Sequence, residues 1–329
     1  MPPRAAAAGG RAGPLSKVGL VRAFVTGAHG FVGSWLTAHL EACGDEVVGV
    51  DREVDVTDAA SVRHAITRVA PDAVFHLAAL THVGQSWRDP ARVLEVNAVG
   101  TLNVLEGARA CASPPRVLLT SSAEVYGAVP PERLPVDEEA PLAPVTPYAA
   151  SKVAAEYVGI QEQLAHGLPV IRVRPFNHVG PGQSPAFVVA ALAQRIVEAR
   201  RHGTPAIGVG NLTARRDLTD VRDVVRAYRL LVDRGTPGDV YNVCTGDDIA
   251  IEEVARRMQK LAGVEVRLEI DPSLARPVDV PVVRGDPRKL KTATGWEPEI
   301  ELDRTLLDVL DQWERAEPRS GDETRSESR

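Results

Sequence analysis

A tyrosine and a lysine four residues apart, Tyr148 and Lys152, open a stretch that follows Pro147 and reads as the start of a helix. Residues at i and i+4 lie one above the other on a helical face, so an ammonium can sit beside a phenol. A positive charge there favours the phenolate and lowers the tyrosine pKa, which suits a proton donor and acceptor near neutral pH. By itself the pair equally describes a surface contact that supports a helix. Two other stretches add chemistry to it: Thr26-Gly27-Ala28-His29-Gly30-Phe31-Val32-Gly33 upstream, and Leu119-Thr120-Ser121-Ser122 between them.

The elements that must position these groups alternate along the chain. Leu20 to Thr26 reads as a strand, Phe31 to Cys43 as a helix stopped by Gly44, and Glu46 to Val50 as a second strand ending in Asp51. Glycines in the first turn of such a βαβ unit let backbone amides and a helix N-terminus approach a pyrophosphate, and a carboxylate ending the second strand can bind a ribose hydroxyl. Gly27, Gly30 and Gly33 depart from the G-x-G-x-x-G spacing, so the turn is a variant, and a tight turn without a ligand is the alternative. Asp51 argues for NAD because it repels a 2′-phosphate, whereas Arg52 argues for NADP because it can accept one. Either cofactor, NADP or NAD, fits the sequence.

Ala73 to Leu77 reads as a third strand emptying into Ala78-Ala79, whose small side chains leave room for a flat ligand. A long helical stretch runs from Asp89 to Ala112 with Asn97 on its way, and Arg116 to Thr120 is a strand closing on Ser121-Ser122-Ala123-Glu124. A proline-rich loop leads to the Tyr148 helix, and Val170 to Val173 is the next strand. This alternation predicts an α/β fold, a doubly wound parallel sheet of Rossmann type with ligands at the carboxyl ends of its strands. That domain is expected over residues 20–175. A smaller C-terminal α/β domain that binds substrate is expected mainly over 176–314, with some chain returning to the first. Residues 1–19 read as a disordered leader and 315–329 as a disordered tail.

The composition excludes several classes. With 44% hydrophobic content over 329 residues the chain can bury a large core. Lys+Arg 38 against Asp+Glu 44 gives a net charge of −6, and no basic block would track a nucleic acid. No run approaches the ~20 apolar residues of a membrane span. Cys43, Cys111 and Cys244 lack metal-ligand spacing and are odd in number, which predicts free thiols in the reducing cytoplasm and no metal site.

Taken together, Thr26 to Gly33, the Asp51 strand end, His76-Leu77-Ala78-Ala79, Ser122 and Tyr148-x-x-x-Lys152 resemble the extended short-chain dehydrogenase/reductases that act on nucleotide sugars. Within that group, Arg174 to Gln183, Asn242 to Gly246, Val283 to Asp286 and Thr294 to Pro298 are similar to the GDP-4-keto-6-deoxy-D-mannose reductases. The resemblance implies that Tyr148 is the general acid/base, that Lys152 lowers its pKa and holds the nicotinamide ribose, and that Ser122 bonds the reacting sugar oxygen. It further implies cofactor contacts from Gly27, Gly30, Phe31, Val32, Gly33, Asp51, Arg52, Asp55, Val56, Leu77, Ala78, Ala79 and Asn97. Asn177 would bind the nucleotide diphosphate, and Arg216 and Arg284 would neutralise that diphosphate or grip the ribose, since arginine presents a planar fork to phosphate oxygens. A GDP-sugar is the favoured substrate, and a homodimer through a four-helix bundle is implied as well.

Glu124 opens a second reading. In sugar-nucleotide 4,6-dehydratases a carboxylate two residues after the catalytic Ser or Thr acts as a base, usually with an acid or hydroxyl between them, where this chain has Ala123. The favoured expectation is therefore reduction of GDP-4-dehydro-6-deoxy-D-mannose to GDP-D-rhamnose. The alternatives are a 4,6-dehydratase acting on GDP-mannose or dTDP-glucose, or a 4-epimerase, either with tightly bound NAD, and a non-catalytic dinucleotide-sensing regulator.

Overall fold

The computed structural model describes residues 19–274 and 279–316. The leader and tail expected at the two ends lie outside the described residues, apart from Gly19, Arg315 and Ala316. In chain order the first half runs β1 (Arg22–Thr26), α1 (Phe31–Ala42), β2 (Glu46–Val50), α2 (Ala59–Val69), β3 (Ala73–His76), α3 (Val83–Ser86), α4 (Pro90–Leu94), α5 (Gly100–Arg109), β4 (Arg116–Thr120), α6 (Pro147–His166) and β5 (Val170–Pro175). The second half runs β6 (Asn177–Val179), α7 (Val188–His202), β7 (Ala206–Val209), β8 (Arg215–Arg216), β9 (Leu218–Asp220), α8 (Val221–Arg234), β10 (Val240–Val243), β11 (Ile249–Ala250), α9 (Ile251–Ala262), β12 (Arg267–Ile270), β13 (Val282–Val283), α10 (Arg288–Thr294) and α11 (Leu302–Arg315).

A parallel sheet in the order β10-β5-β4-β3-β1-β2 carries the site. Its side chains alternate between two apolar clusters, as the period of a strand requires. Val25, Phe75 and Leu118 pack with Leu36 and Leu40 of α1 and Val224 and Leu231 of α8. Phe24, Val74, Val117 and Leu119 pack on the opposite face with Ile66 of α2 and Val104 and Leu105 of α5. Both faces are therefore dry, which is why these strands read as continuous apolar runs. A third cluster gathers α7, α9 and α11 around Ile196, Val254, Met258 and Leu306, beside the parallel pair β12-β7. The chain does return to the main sheet: β10 adds its edge strand beside β5, and α8 covers α1.

Helix α6 is set by its ends. Thr146 caps it by accepting from the Ala149 amide at 3.0 Å, Pro147 takes the first helical position, and Gly167 ends it with φ 69°. The long helix expected from Asp89 to Ala112 is not regular. It begins at Pro90, passes through a π-turn over Glu95–Val99, and ends at Arg109. The wider turn sits where Asn97 must face inward, and such turns mark places where a helix gives up regularity for a side chain's position.

The first βα turn is as tight as glycine permits. Gly27 has φ +70°, a region that disfavours any side chain, and a Cβ on Gly33 would overlap the Gly27 carbonyl oxygen. Gly33→Ala is therefore expected to lower stability by about 1–3 kcal/mol, read from urea unfolding. An unchanged midpoint would contradict the packing described.

Candidate active site

Tyr148 and Lys152 lie on the inner face of α6 and are 7% and 5% exposed. Strand β4 ends just opposite them. Ser122, at the start of the 3₁₀ turn Ala123–Tyr126, accepts from the Glu124 amide at 3.2 Å and lies close enough to Tyr148 to favour its phenolate. The Lys152 ammonium donates to the Thr120 carbonyl at 2.8 Å. The three groups singled out from sequence therefore meet at the carboxyl end of β4.

Their charge states differ from the simple expectation. Burial pushes the Tyr148 phenol up to about 12, with Ser122 opposing that shift and the Glu124 charge adding to it. Lys152 is pushed down to about 8, again by burial, with Glu156 opposing. The expected acidification of Tyr148 by Lys152 is thus a correction. Desolvation sets the direction, Lys152 is turned onto the Thr120 carbonyl, and the phenol holds its proton at neutral pH.

Behind Lys152 stands a buried polar cluster that the sequence did not announce. Glu156 accepts from Ser121 Oγ at 2.5 Å and from Arg174 Nε and Nη2 at 2.9 and 2.8 Å. Arg174 also donates to Tyr126 Oη at 2.9 Å, and Tyr126 donates to Asn242 at 2.7 Å. The one available signal was spacing, since Glu156 falls on the stripe of α6 that carries Tyr148 and Lys152.

A second chain of hydrogen bonds ties the glycine turn to α6. Thr26 Oγ1 meets His76 Nδ1 at 2.8 Å, and His76 Nε2 meets Thr101 Oγ1 at 3.0 Å. The Thr101 hydroxyl proton is spent on the Asn97 carbonyl at 2.6 Å, so His76 must donate from Nε2 and accept at Nδ1. Burial, with Lys152 adding, pushes His76 down to about 3 and keeps it neutral. Asn97 was expected to touch the cofactor. Its amide is instead used up on the Leu80 N–H and carbonyl and on Ser151 Oγ, so it positions the segment after β3. Ser151 in turn donates to the Tyr148 carbonyl at 2.7 Å.

The groove along the strand ends suits a dinucleotide. Gly30 leads into α1 without any side-chain cap, which leaves the first amides of that helix open to an anion. A Cβ on Gly27 would crowd the Ala78 amide at 2.9 Å, so the glycine turn and Ala78-Ala79 lie against each other with room only for backbone. Leu77 pairs back to Thr26 at 3.3 Å. Phe31 stacks on His178 at 6.0 Å, and Val32 packs into the α1–α8 cluster. Asp51 accepts from the His29 amide at 3.0 Å, while Arg52 is exposed in the turn that follows. Asp55 is occupied by its own turn through Thr57, and Val56 is buried where Gly100 approaches it. The glycine cradle and the bare helix end fit a nicotinamide dinucleotide. The described residues hold no group of three or more His, Cys, Asp or Glu suited to a metal ion.

The second half supplies the other wall. Glu124, Val83 and Thr146 line a shallow cleft with Arg216 and Asp279. Arg216 pairs with Asp279 at 2.7 Å, and Arg284 with Asp248 at 3.4 Å. Asn177 is exposed at the start of β6, which pairs with β9. Asp217, missed in the sequence, joins these loops: it is buried, accepts from the Thr245 and Gly246 amides at 2.9 Å, and is pushed up to about 6 by burial.

The sign of the Lys152 shift gives a test. Below about 8 the folded protein must carry a desolvated ammonium, so the cost is fully present there and fades as pH rises toward the ordinary lysine value. Lys152→Met should therefore raise stability at pH 7 by about 1–3 kcal/mol, with the advantage shrinking above pH 8, as followed by denaturant melts. A variant less stable than wild type at pH 7 would contradict this.

Known proteins are similar along nearly the whole chain. The sequence profile for GDP-mannose 4,6 dehydratase matches residues 52–309. A GDP-6-deoxy-D-mannose reductase of Pseudomonas aeruginosa is 40% identical over 297 residues, 89% of this chain and 97% of that protein. The solved structure of RMD from Pseudomonas aeruginosa complexed with NADPH superposes with a TM-score of 0.83 at 39% identity, covering 89% of this chain and 99% of the other. A UDP-glucose 4-epimerase of Thermus thermophilus in complex with NAD gives 0.81 at 32% identity, covering 90% and 99%. With the parallel sheet, the glycine turn and the Ser122–Tyr148–Lys152 grouping in place, the chain belongs to the GDP-mannose 4,6 dehydratase family of NAD(P)-dependent extended short-chain dehydrogenase/reductases.

Proposed function

We propose that the chain reduces the 4-keto group of GDP-4-dehydro-6-deoxy-D-mannose to give GDP-D-rhamnose, with NADPH or NADH as reductant. The observation that carries this reading is the gathering of Ser122, Lys152 and Tyr148 at the end of β4, with Tyr148 a buried phenol that holds its proton. A reductase needs a loaded proton donor at rest, whereas a dehydrogenase needs a base. Similarity to the Pseudomonas aeruginosa reductase over 97% of its length supports the substrate class.

In this reading the C4 carbonyl oxygen sits between Ser122 and Tyr148. A bound reduced nicotinamide supplies the hydride to C4. As charge grows on the oxygen, Ser122 donates to it and Tyr148 releases its proton to it, so the carbonyl becomes a hydroxyl and Tyr148 becomes phenolate. Lys152 stabilises that phenolate and holds the nicotinamide ribose. Gly27, Gly30 and Gly33 take the cofactor's pyrophosphate, with Asp51 at the adenosine ribose. Asn177, Arg216 and Arg284 hold the substrate diphosphate, with the arginines exchanging their Asp279 and Asp248 partners for phosphate oxygens. Residues 20–175 serve mainly the cofactor and 176–314 mainly the substrate. Glu124 favours a second reading, a 4,6-dehydratase or 4-epimerase that recycles a retained NAD, because its charge bears on Tyr148. Ala123 speaks for the reductase.

Purified protein should consume NADPH or NADH with GDP-4-dehydro-6-deoxy-D-mannose and carry no retained nicotinamide. Protein that elutes with bound NAD and converts GDP-mannose without added cofactor would establish the second reading instead. Tyr148→Phe should cut turnover by ~10²–10⁴ while leaving cofactor affinity nearly unchanged, and near-normal turnover would refute the role given to the phenol.

We also infer a homodimer through α4–α5 and α6. Leu94, Val99, Tyr157 and Leu164 are 44%, 47%, 60% and 76% exposed on these adjoining helices. An apolar stripe of this kind is costly in water and fits a self-complementary four-helix contact. Leu164→Asp should halve the mass seen by light scattering without unfolding the protomer; a wild-type monomer would end the proposal. Free Cys43, Cys111 and Cys244 support a cytoplasmic setting. No described helix is long and apolar enough to cross a membrane.

A further inference from the structure

Asn177, Arg216 and Arg284 come from three distant parts of the chain, yet each is the chain neighbour of a residue at one buried junction, where Phe176, Asp217 and Gly285 meet. Asp217 is its polar centre. It is 0% exposed and stands between β8 and β9. Its Oδ1 accepts from the Thr245 amide at 2.9 Å and the Thr245 hydroxyl at 2.8 Å, and its Oδ2 from the Gly246 amide at 2.9 Å and the Gly285 amide at 3.5 Å. One carboxylate thus joins the β8–β9 turn, the β10–β11 turn and the chain leaving β13. The backbone agrees: the Asp217 amide donates to the Val283 carbonyl at 2.8 Å, beside the parallel pairing of β13 with β8. The junction is tight, since a Cβ on Gly285 would run into the Phe176 ring and lie 2.7 Å from Cys244 Sγ.

Two features make Asp217 more than a packing residue. A carboxylate offers four acceptor sites on two oxygens, whereas the amide of asparagine would set a donor against a donor. Burial pushes the carboxyl up to about 6 although those donors pull it down, so at neutral pH the fold holds this anion against desolvation. Its neighbour Arg216 shows what the anchor does. Successive side chains of an extended segment point to opposite sides, so with Asp217 turned into the junction Arg216 faces the cleft that it lines with Glu124 and Thr146. Those two residues stand two positions from Ser122 and from Tyr148 respectively. Resting on the diphosphate role given to Arg216 in the proposed reduction, we propose that Asp217 is a positioning residue for substrate: by locking the β8–β9 turn onto two other segments it holds the Arg216 guanidinium where a nucleoside diphosphate reaches it. Asp217 itself meets no substrate.

GDP binding followed by calorimetry separates this role from general stability. Asp217→Asn should raise the GDP Kd and the KM for the sugar nucleotide roughly 10-fold, the scale of one hydrogen bond to a charged group, and leave kcat and the affinity for NADPH or NADH near wild type. Arg216→Ala should weaken GDP binding at least as much, and the double variant no further than Arg216→Ala alone, because both changes remove one contact. A wild-type GDP Kd in Asp217→Asn overturns the proposal, as do parallel losses of GDP and nicotinamide cofactor affinity, or two effects that simply add. Should Asp217→Asn fail to fold, Thr245→Val decides: it removes one donor to the carboxylate and should raise the GDP Kd by less, and an unchanged value overturns the proposal. If Arg216→Ala binds GDP and turns over substrate as wild type does, the diphosphate reading fails and this inference with it; if Arg216→Ala is weakened while Asp217→Asn is not, only the role of Asp217 fails.

Discussion

The site depends on one buried anion. Glu156 is 0% exposed and binds Arg174 from β5 through two nitrogens, Ser121 from the end of β4, and acts on Lys152 one turn earlier in α6. A carboxylate in such a place is tolerated only because its partners meet it with good geometry. The consequence is positional. Ser121 is the neighbour of Ser122, Lys152 shares the helix of Tyr148, and Arg174 precedes the segment that leads to Asn177. One ion pair therefore helps set the placing of the proposed catalytic groups, and it does so in the core, where solvent does not loosen it.

The same burial that makes this cluster rigid also sets the protons. Tyr148 is raised and Lys152 is lowered by desolvation, so the resting site holds a neutral phenol and an ammonium that gives up its proton more readily than a free lysine. Neutral His76 and saturated Asn97 carry the order across to the glycine turn without introducing another charge. Polar groups deep in the sheet thus act as spacers. Their hydrogen bonds are complete, and that completeness is what lets them be buried.

The second half meets this region with paired charges. Arg216 and Arg284 rest on Asp279 and Asp248, at positions where a phosphate could take over from a carboxylate. Asp217 holds the neighbouring loops through backbone amides, and β13 pairs with β8, so the two arginines come close although they lie far apart in sequence. The first half offers preformed geometry, and in the second the two arginines are each paired with a carboxylate.

Much of the fold was legible along the chain. Apolar runs with β-branched residues gave the strands, Pro147 marked the start of α6, and the glycines with Ser122, Tyr148 and Lys152 stood out as candidate site residues. These follow from local periodicity and backbone sterics, which any segment carries within itself. What the sequence left unread were Glu156 and Asp217, and the hydrogen bonds made by Arg174 and His76, which it marked only as motif residues. The π-turn at Asn97 and the direction of the Tyr148 shift belong with them. Each depends on which distant segment comes to lie against it, because desolvation and hydrogen-bond partners are properties of the packed interior. Sequence alone determined where the reactive groups stand along the strands and helices; tertiary structure decided their charge, since only the completed core removes the water that would otherwise have set it.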